Sequence, residues 1–144
     1  MPRLLVIDES LDKRVSAELK RRGRNAKTVA EIGLRGLTDP QLLERLGHGA
    51  PDCVLITGDD AMPATHGQEL AQHKTTVAVV APWNPKSGLV EPQWEHEIVQ
   101  KWAHLMEEQP PGTIFRYGLG GRRRWMLRKR PPRTIESSDP RSSQ

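Results

Sequence analysis

Three short runs, RLLVI at residues 3–7, CVLIT at 53–57 and VAVVA at 77–81, carry apolar side chains without polar alternation. A strand with one wet face alternates apolar and polar residues, so these runs predict strands covered on both faces, as in a parallel sheet. Between them lie segments with helical patterning. Over residues 12–22, Val15, Ala17 and Leu19 sit among Lys13, Arg14, Lys20, Arg21 and Arg22, with Gly23 placed as a C-cap. Thr38 or Asp39 fits an N-cap, with Pro40 in the first turn of a helix reaching Leu46. A helix is expected near 66–72 and a longer one over 94–108, where Trp94, Ile98, Trp102 and Leu105 form a stripe suited to a core or dimer interface. Residues 26–30 (AKTVA) and 113–117 read as shorter strands, whereas 31–38 and 83–88 read as loops. Strands alternating with helices predict an α/β fold, with helices on both faces of a mainly parallel sheet.

The charge is uneven along the chain. The 144 residues carry a net +4, yet residues 1–110 hold 13 basic and 16 acidic side chains and residues 111–144 hold 9 basic and 2 acidic. An acidic domain over 1–110, a basic extension over 111–133 and a disordered Ser- and Pro-containing tail over 134–144 are the expected divisions. One cysteine excludes an intramolecular disulfide framework and a multi-cysteine zinc knuckle. No apolar run approaches the ~20 residues of a membrane-spanning helix, so a soluble, cytoplasmic protein is expected.

Carboxylates gather where strands end. Asp8 and Glu9 close the first run, Asp59 and Asp60 follow the second, and Asp39 opens the helix between them. In a parallel sheet the C-terminal strand ends share one edge, which is where ligands bind. Acids crowded there repel one another unless a cation intervenes, and Mg2+ or Mn2+ prefers such oxygen ligands. Metals held in this way activate water for phosphodiester displacement. The plainer role for a single Asp after a strand is a turn or helix cap.

At these residues the chain resembles compact bacterial PIN-like domains. The resemblance is carried by Val6-Ile7-Asp8-Glu9-Ser10-Leu11, Gly33-Leu34-Arg35-Gly36-Leu37-Thr38-Asp39 and Val54-Leu55-Ile56-Thr57-Gly58-Asp59-Asp60, and covers roughly residues 3–82. It implies a three-layer sandwich around a mainly parallel sheet and Mg2+- or Mn2+-dependent endoribonuclease activity, in many relatives as the toxin of a toxin–antitoxin pair. It further implies Asp8, Asp39 and Asp59 as the acidic core, with Asp60 or Glu9 as the remaining metal ligand. Thr57 matches the hydroxyl residue that orients a carboxylate or the attacking water. The family's second Asp in Thr-x-Asp-x-Asp falls at Ala61 here. Homodimers and an antitoxin protein are the partners that the resemblance implies.

A second resemblance is to a response-regulator receiver, through Leu5-Val6-Ile7-Asp8-Glu9, Pro51-Asp52-Cys53-Val54-Leu55-Ile56, Met62-Pro63 and Gly67-Gln68-Glu69-Leu70. Thr57 occupies the phosphoacceptor position of that pattern, and threonine does not form an acyl phosphate. A catalytically inactive RNA- or protein-binding module is the third reading.

The basic segment has its own chemistry. Residues 116–133 contain eight Lys and Arg with Tyr117 and Trp125 interleaved. Cations neutralise phosphates while aromatic rings stack on unpaired bases, so Arg122, Arg123, Arg124, Trp125, Arg128, Lys129 and Arg130, together with Arg35, are candidates for contact with single-stranded RNA. An acidic protein partner would suit the same cations. His66 follows Asp59 and Asp60 closely enough to reach a substrate, Cys53 reads as a buried hydrophobe, and Gly118-Leu119-Gly120-Gly121 reads as a flexible turn.

Overall fold

The computed structural model describes residues 3–47 and 52–127. Six strands form one sheet: β1 (Leu4–Ile7), β2 (Ala26–Thr28), β3 (Cys53–Thr57), β4 (Val77–Val80), β5 (Ile114–Tyr117) and β6 (Arg122–Trp125). Their order is β2-β1-β3-β4-β5-β6. All pairings are parallel except β5 with β6. The helices are α1 (Lys13–Arg21), α2 (Asp39–Arg45), α3 (Met62–Thr65), α4 (Gly67–His73) and α5 (Glu91–Glu107).

The uninterrupted apolar runs have the predicted consequence. Leu5, Ile7, Val54, Ile56, Ala78 and Val80 pack on one face with Val15 and Leu19 of α1 and Ile98, Val99 and Met106 of α5. Val6, Leu55, Val77 and Val79 pack on the other with Leu42 and Leu43 of α2, Met62 of α3 and Leu70 of α4. Three layers result, with the sheet buried in the middle.

Local chemistry sets the helix starts. Asp12 caps α1 by accepting from Arg14 N at 2.9 Å. At α2 the cap is Thr38, in a reciprocal capping box with Gln41, which leaves the Asp39 side chain for another contact. α5 begins three residues before the expected 94, because Pro92 fits its first turn. The tryptophan stripe is core: Trp94 Nε1 donates to Ala81 O at 2.8 Å and Trp102 Nε1 to Gly118 O at 2.7 Å. These indoles tie α5 to the C-terminal ends of β4 and β5.

The basic segment begins inside the sheet. β5 continues the parallel array and β6 turns back along it, so the division expected at residue 110 falls within one sheet. Buried Gln109 fixes this junction, its Nε2 donating to Val77 O and Thr113 O at 2.8 and 2.9 Å while Oε1 accepts from Tyr117 Oη at 2.8 Å. Residues 128–133 and 134–144 lie outside the described residues. Among the described residues no helix is long and apolar enough to cross a membrane.

Candidate functional site

From β1 the chain moves outward to β2, then returns past β1 to add β3 on the other side. That reversal is a topological switch point, and in doubly wound sheets the crevice at such a point, here at the C-terminal ends of β1 and β3, is the usual ligand position. Asp8 and Ser10 enter it after β1, and Thr57, Gly58 and Asp59 at the end of β3.

These residues form one hydrogen-bonded unit. Thr57 Oγ1 donates to Asp8 Oδ2 at 2.8 Å, and Ser10 Oγ donates to the same oxygen at 2.7 Å. Backbone amides complete both hydroxyls: Gly58 N donates to Ser10 Oγ at 2.9 Å and Asp59 N to Thr57 Oγ1 at 3.1 Å. A hydroxyl has a single proton, so the 3.3 Å approach of Ser10 Oγ to Thr57 Oγ1 is a packing contact between two groups already directed at Asp8. Gly58 permits the close passage of the two loops, since a Cβ there would stand 3.0 Å from Leu11 Cδ2.

The other predicted acids have distinct neighbours. Asp59 Oδ1 accepts from Ala61 N at 3.0 Å and so shapes the turn into α3. Asp60 pairs with Arg116 of β5. Glu9 faces Arg35 at 3.7 Å on the exposed surface, a weak screened pair. Asp39 faces His66 Nε2 at 3.5 Å, and His66 Nδ1 faces Glu69 at 3.4 Å. Among the described residues, no group of three or more His, Cys, Asp and Glu side chains is placed to hold a metal ion. Thr57 therefore joins the Asp8 carboxylate to the Asp59 backbone, while the Asp59 side chain turns to Ala61 N and Asp39, Asp60 and Glu9 are engaged with other partners.

Of the predicted basic contacts, Arg122, Arg123, Arg124 and Trp125 are β6 itself. Register places Arg116, Arg123 and Trp125 on one sheet face and Arg122 and Arg124 on the other. Arg122 lies over the Phe115 ring at 4.9 Å and Arg116 over Trp125 at 5.9 Å, so aromatic rings support both guanidiniums. Arg122, Arg123 and Arg124 have no carboxylate partner among the described residues. Arg128, Lys129 and Arg130 fall outside the described residues. Cys53 is buried, with its Sγ facing Leu46 O at 3.7 Å, and burial pushes its thiol pKa up, away from thiolate chemistry.

Two functional groups carried weak signals. Ser10 stands in the quoted Asp8-Glu9-Ser10 motif, but its hydroxyl shows no role until β1 and β3 are adjacent. Arg116 is the one charged residue in the IFRY strand, which marks it as a side chain needing a partner. Comparison with protein-family models, curated proteins and solved structures finds no match to this chain. The doubly wound order 2-1-3-4-5 is one that receiver-type folds share, so the sheet order lends no separate support to the PIN-like resemblance. The strand end does bear on the receiver reading, because Thr57 holds the acceptor position and its proton is committed to Asp8.

Proposed function

We propose that the crevice between β1 and β3 is the centre of a Mg2+- or Mn2+-dependent endoribonuclease. The supporting observation is the Thr57 hydroxyl, which links the Asp8 carboxylate to the Asp59 backbone across the switch point. The donor set suits the metal: Mg2+ is commonly held by one or two carboxylates, with waters and substrate phosphate filling its octahedron. Asp8 and Asp59 would hold it, whereas Asp39 is paired with His66. When bound, the cation supplies charge neutralisation at the phosphoryl oxygens and acidifies water.

The chain's own residues do the positioning. Ser10 and Thr57 fix Asp8 Oδ2, so its carboxylate is oriented before substrate arrives, and such preorganisation is what a charged transition state rewards. The arginines of β6 offset the repulsion between an acidic crevice and a polyanion, and Trp125 offers a ring to an unpaired base. Hydrolysis adds water across a phosphodiester, breaking one P–O bond and leaving a phosphate monoester and a hydroxyl.

The test is cleavage of single-stranded RNA by the purified chain in Mn2+, with EDTA as control. Wild type is expected to cleave, and Asp8→Asn and Asp59→Asn to lose at least about a hundredfold in rate. Cleavage that survives both substitutions overturns the proposal.

A further inference from the structure

The end of β5 and the turn into β6 border a hollow of about 460 Å3, within the ~300–1,000 Å3 span of small-ligand sites. Its lining is three arginines, Arg116, Arg122 and Arg123, with Ala81 and glycines of the turn. Gly118 N donates to Gly121 O at 2.8 Å and closes that turn. Among the described residues no carboxylate lines the hollow.

Register sets two of these cations against each other. Arg116 and Arg123 are direct partners across the antiparallel β5–β6 pair, and like charges so placed repel. Asp60 pairs with Arg116 and offsets one charge, while Arg122 and Arg123 have no carboxylate partner among the described residues. Three guanidiniums against one carboxylate leave an excess of two positive charges, which an anion in the hollow would relieve. Two of the guanidiniums are already held, Arg122 over Phe115 and Arg116 between Trp125 and Asp60, so less ordering is lost when a ligand binds.

The excess charge selects among phosphates. An internal phosphodiester carries a single negative charge. A terminal monoester carries about −1.5 to −2 at pH 7 and presents three free oxygens, which guanidinium forks match. We propose that the hollow holds the terminal phosphate monoester of an RNA strand, so that the strand is engaged by its end. The assignment rests on the ribonuclease reading for its substrate and adds to it the place of the cut. β5 lies two strands from β3, about 10 Å at the usual ~4.8 Å spacing. At ~3.4 Å per stacked nucleotide about three nucleotides span that distance, so cleavage falls a fixed few nucleotides from the held end.

The experiment measures binding to the full chain by fluorescence anisotropy in EDTA at physiological salt. The probe is a short, internally labelled single-stranded RNA carrying a 5′-phosphate, a 3′-phosphate or neither. One phosphorylated end is expected to bind at least about tenfold more tightly than the unphosphorylated strand. Gly121→Glu places a carboxylate at the hollow; a Cβ there meets nothing within 4 Å and the backbone is not left-handed, so the fold accepts it. Gly121→Glu and Arg123→Gln should each bring the ratio close to one. Arg124→Gln, outside the hollow, should weaken both strands and keep the ratio. Equal affinities in wild type, or a ratio that survives Gly121→Glu and Arg123→Gln, overturn the site. Equal gain from a phosphate at either end assigns the effect to charge alone and also overturns it. Adenosine monophosphate that competes as tightly as the phosphorylated strand makes a free nucleotide the ligand and overturns the RNA-end assignment. With Mn2+ added, cleavage is expected at a constant distance from the held end. End preference without cleavage supports the phosphate site and overturns the ribonuclease reading; cleavage without end preference does the reverse. Near-ultraviolet circular dichroism of each variant verifies that it is folded.

Discussion

Thr57 Oγ1 donates to Asp8 Oδ2 over 2.8 Å, and this bond joins side chains at the ends of two neighbouring strands. Thr57 Oγ1 also accepts from Asp59 N, so removing this hydroxyl disturbs the Asp8 carboxylate and the Asp59 backbone at once.

Thr57→Val keeps the shape of the side chain but strands a buried hydroxyl's two partners. The expected cost is about 1–3 kcal/mol, seen as a lower thermal midpoint, together with a drop in RNA cleavage of about 10- to 100-fold. Thr57→Ser retains both hydrogen bonds and should keep most of the activity. Equal activity in Thr57→Val and Thr57→Ser would remove Thr57 from the positioning role.

Gly47 ends the α2 region against α4. A Cβ at this position would stand 2.5 Å from His73 O and 3.1 Å from Leu43 O, both backbone atoms. Gly47→Ala should therefore destabilise by about 1–3 kcal/mol, measured from the urea midpoint. The effect is steric, so Gly47→Ser should do no better.

Gln109 satisfies three buried groups with one amide. Gln109→Leu leaves the buried Tyr117 hydroxyl and the Val77 carbonyl without it, while Thr113 O keeps its bond from Val77 N, and the expected loss is about 1–3 kcal/mol. Differential scanning calorimetry would show it. Tyr117, whose hydroxyl pKa burial already pushes up, should then titrate differently in the alkaline range.

Glu95 lies against α1, accepts from Asp12 N at 2.8 Å, and has its pKa raised by burial and then by the neighbouring acids Glu91 and Asp12. A raised folded-state value means that the folded chain holds this proton longer than the unfolded chain. Its contribution to stability is thus present below the ordinary value near 4.5 and lost as pH rises through the folded value. Glu18 and Glu31 act oppositely: hydrogen bonds from Arg21 and Arg22 to Glu18, and from Lys20 to Glu31, hold each pKa at about 2, so their stabilisation is lost as pH falls from about 4.5 toward 2. Glu95→Gln should flatten the decline above pH 4.5 and leave the acid limb intact, as read from thermal midpoints across pH.

Arg122, Arg123 and Arg124 should act on RNA affinity through charge. For a single strand, each phosphate neutralised contributes about 0.7 to the slope of log affinity against log salt. Changing all three to Ala should make the slope shallower by about 2 if each meets one phosphate. Fluorescence anisotropy with two RNAs of different sequence should show equal weakening of both.

The strands with apolar residues on both faces were the most legible part of the chain. CVLIT alone places β3 at residues 53–57, because no amphipathic alternative accommodates five consecutive buried positions. β6 was not legible: RRRW has no strand periodicity, and its pairing is supplied by β5 alone. The acids at the strand ends were visible, but not their engagements. Asp39 is drawn to His66 at the junction of α3 and α4, and Asp60 to Arg116 from a strand two places away. Contacts across the fold set those partners, and spacing along the chain does not encode them.

The pairing of β1 with β3 also has a consequence in time. Asp8 and Thr57 are separated by 49 positions, and β2 and α2 lie in the chain between the strand that Asp8 follows and the strand that ends in Thr57. Parallel pairings of this kind close slowly, because the loop must form before its contacts reward it. A nascent or partly folded chain that lacks docked β3 therefore has Asp8 but no crevice around it. The acidic centre comes into being together with the sheet.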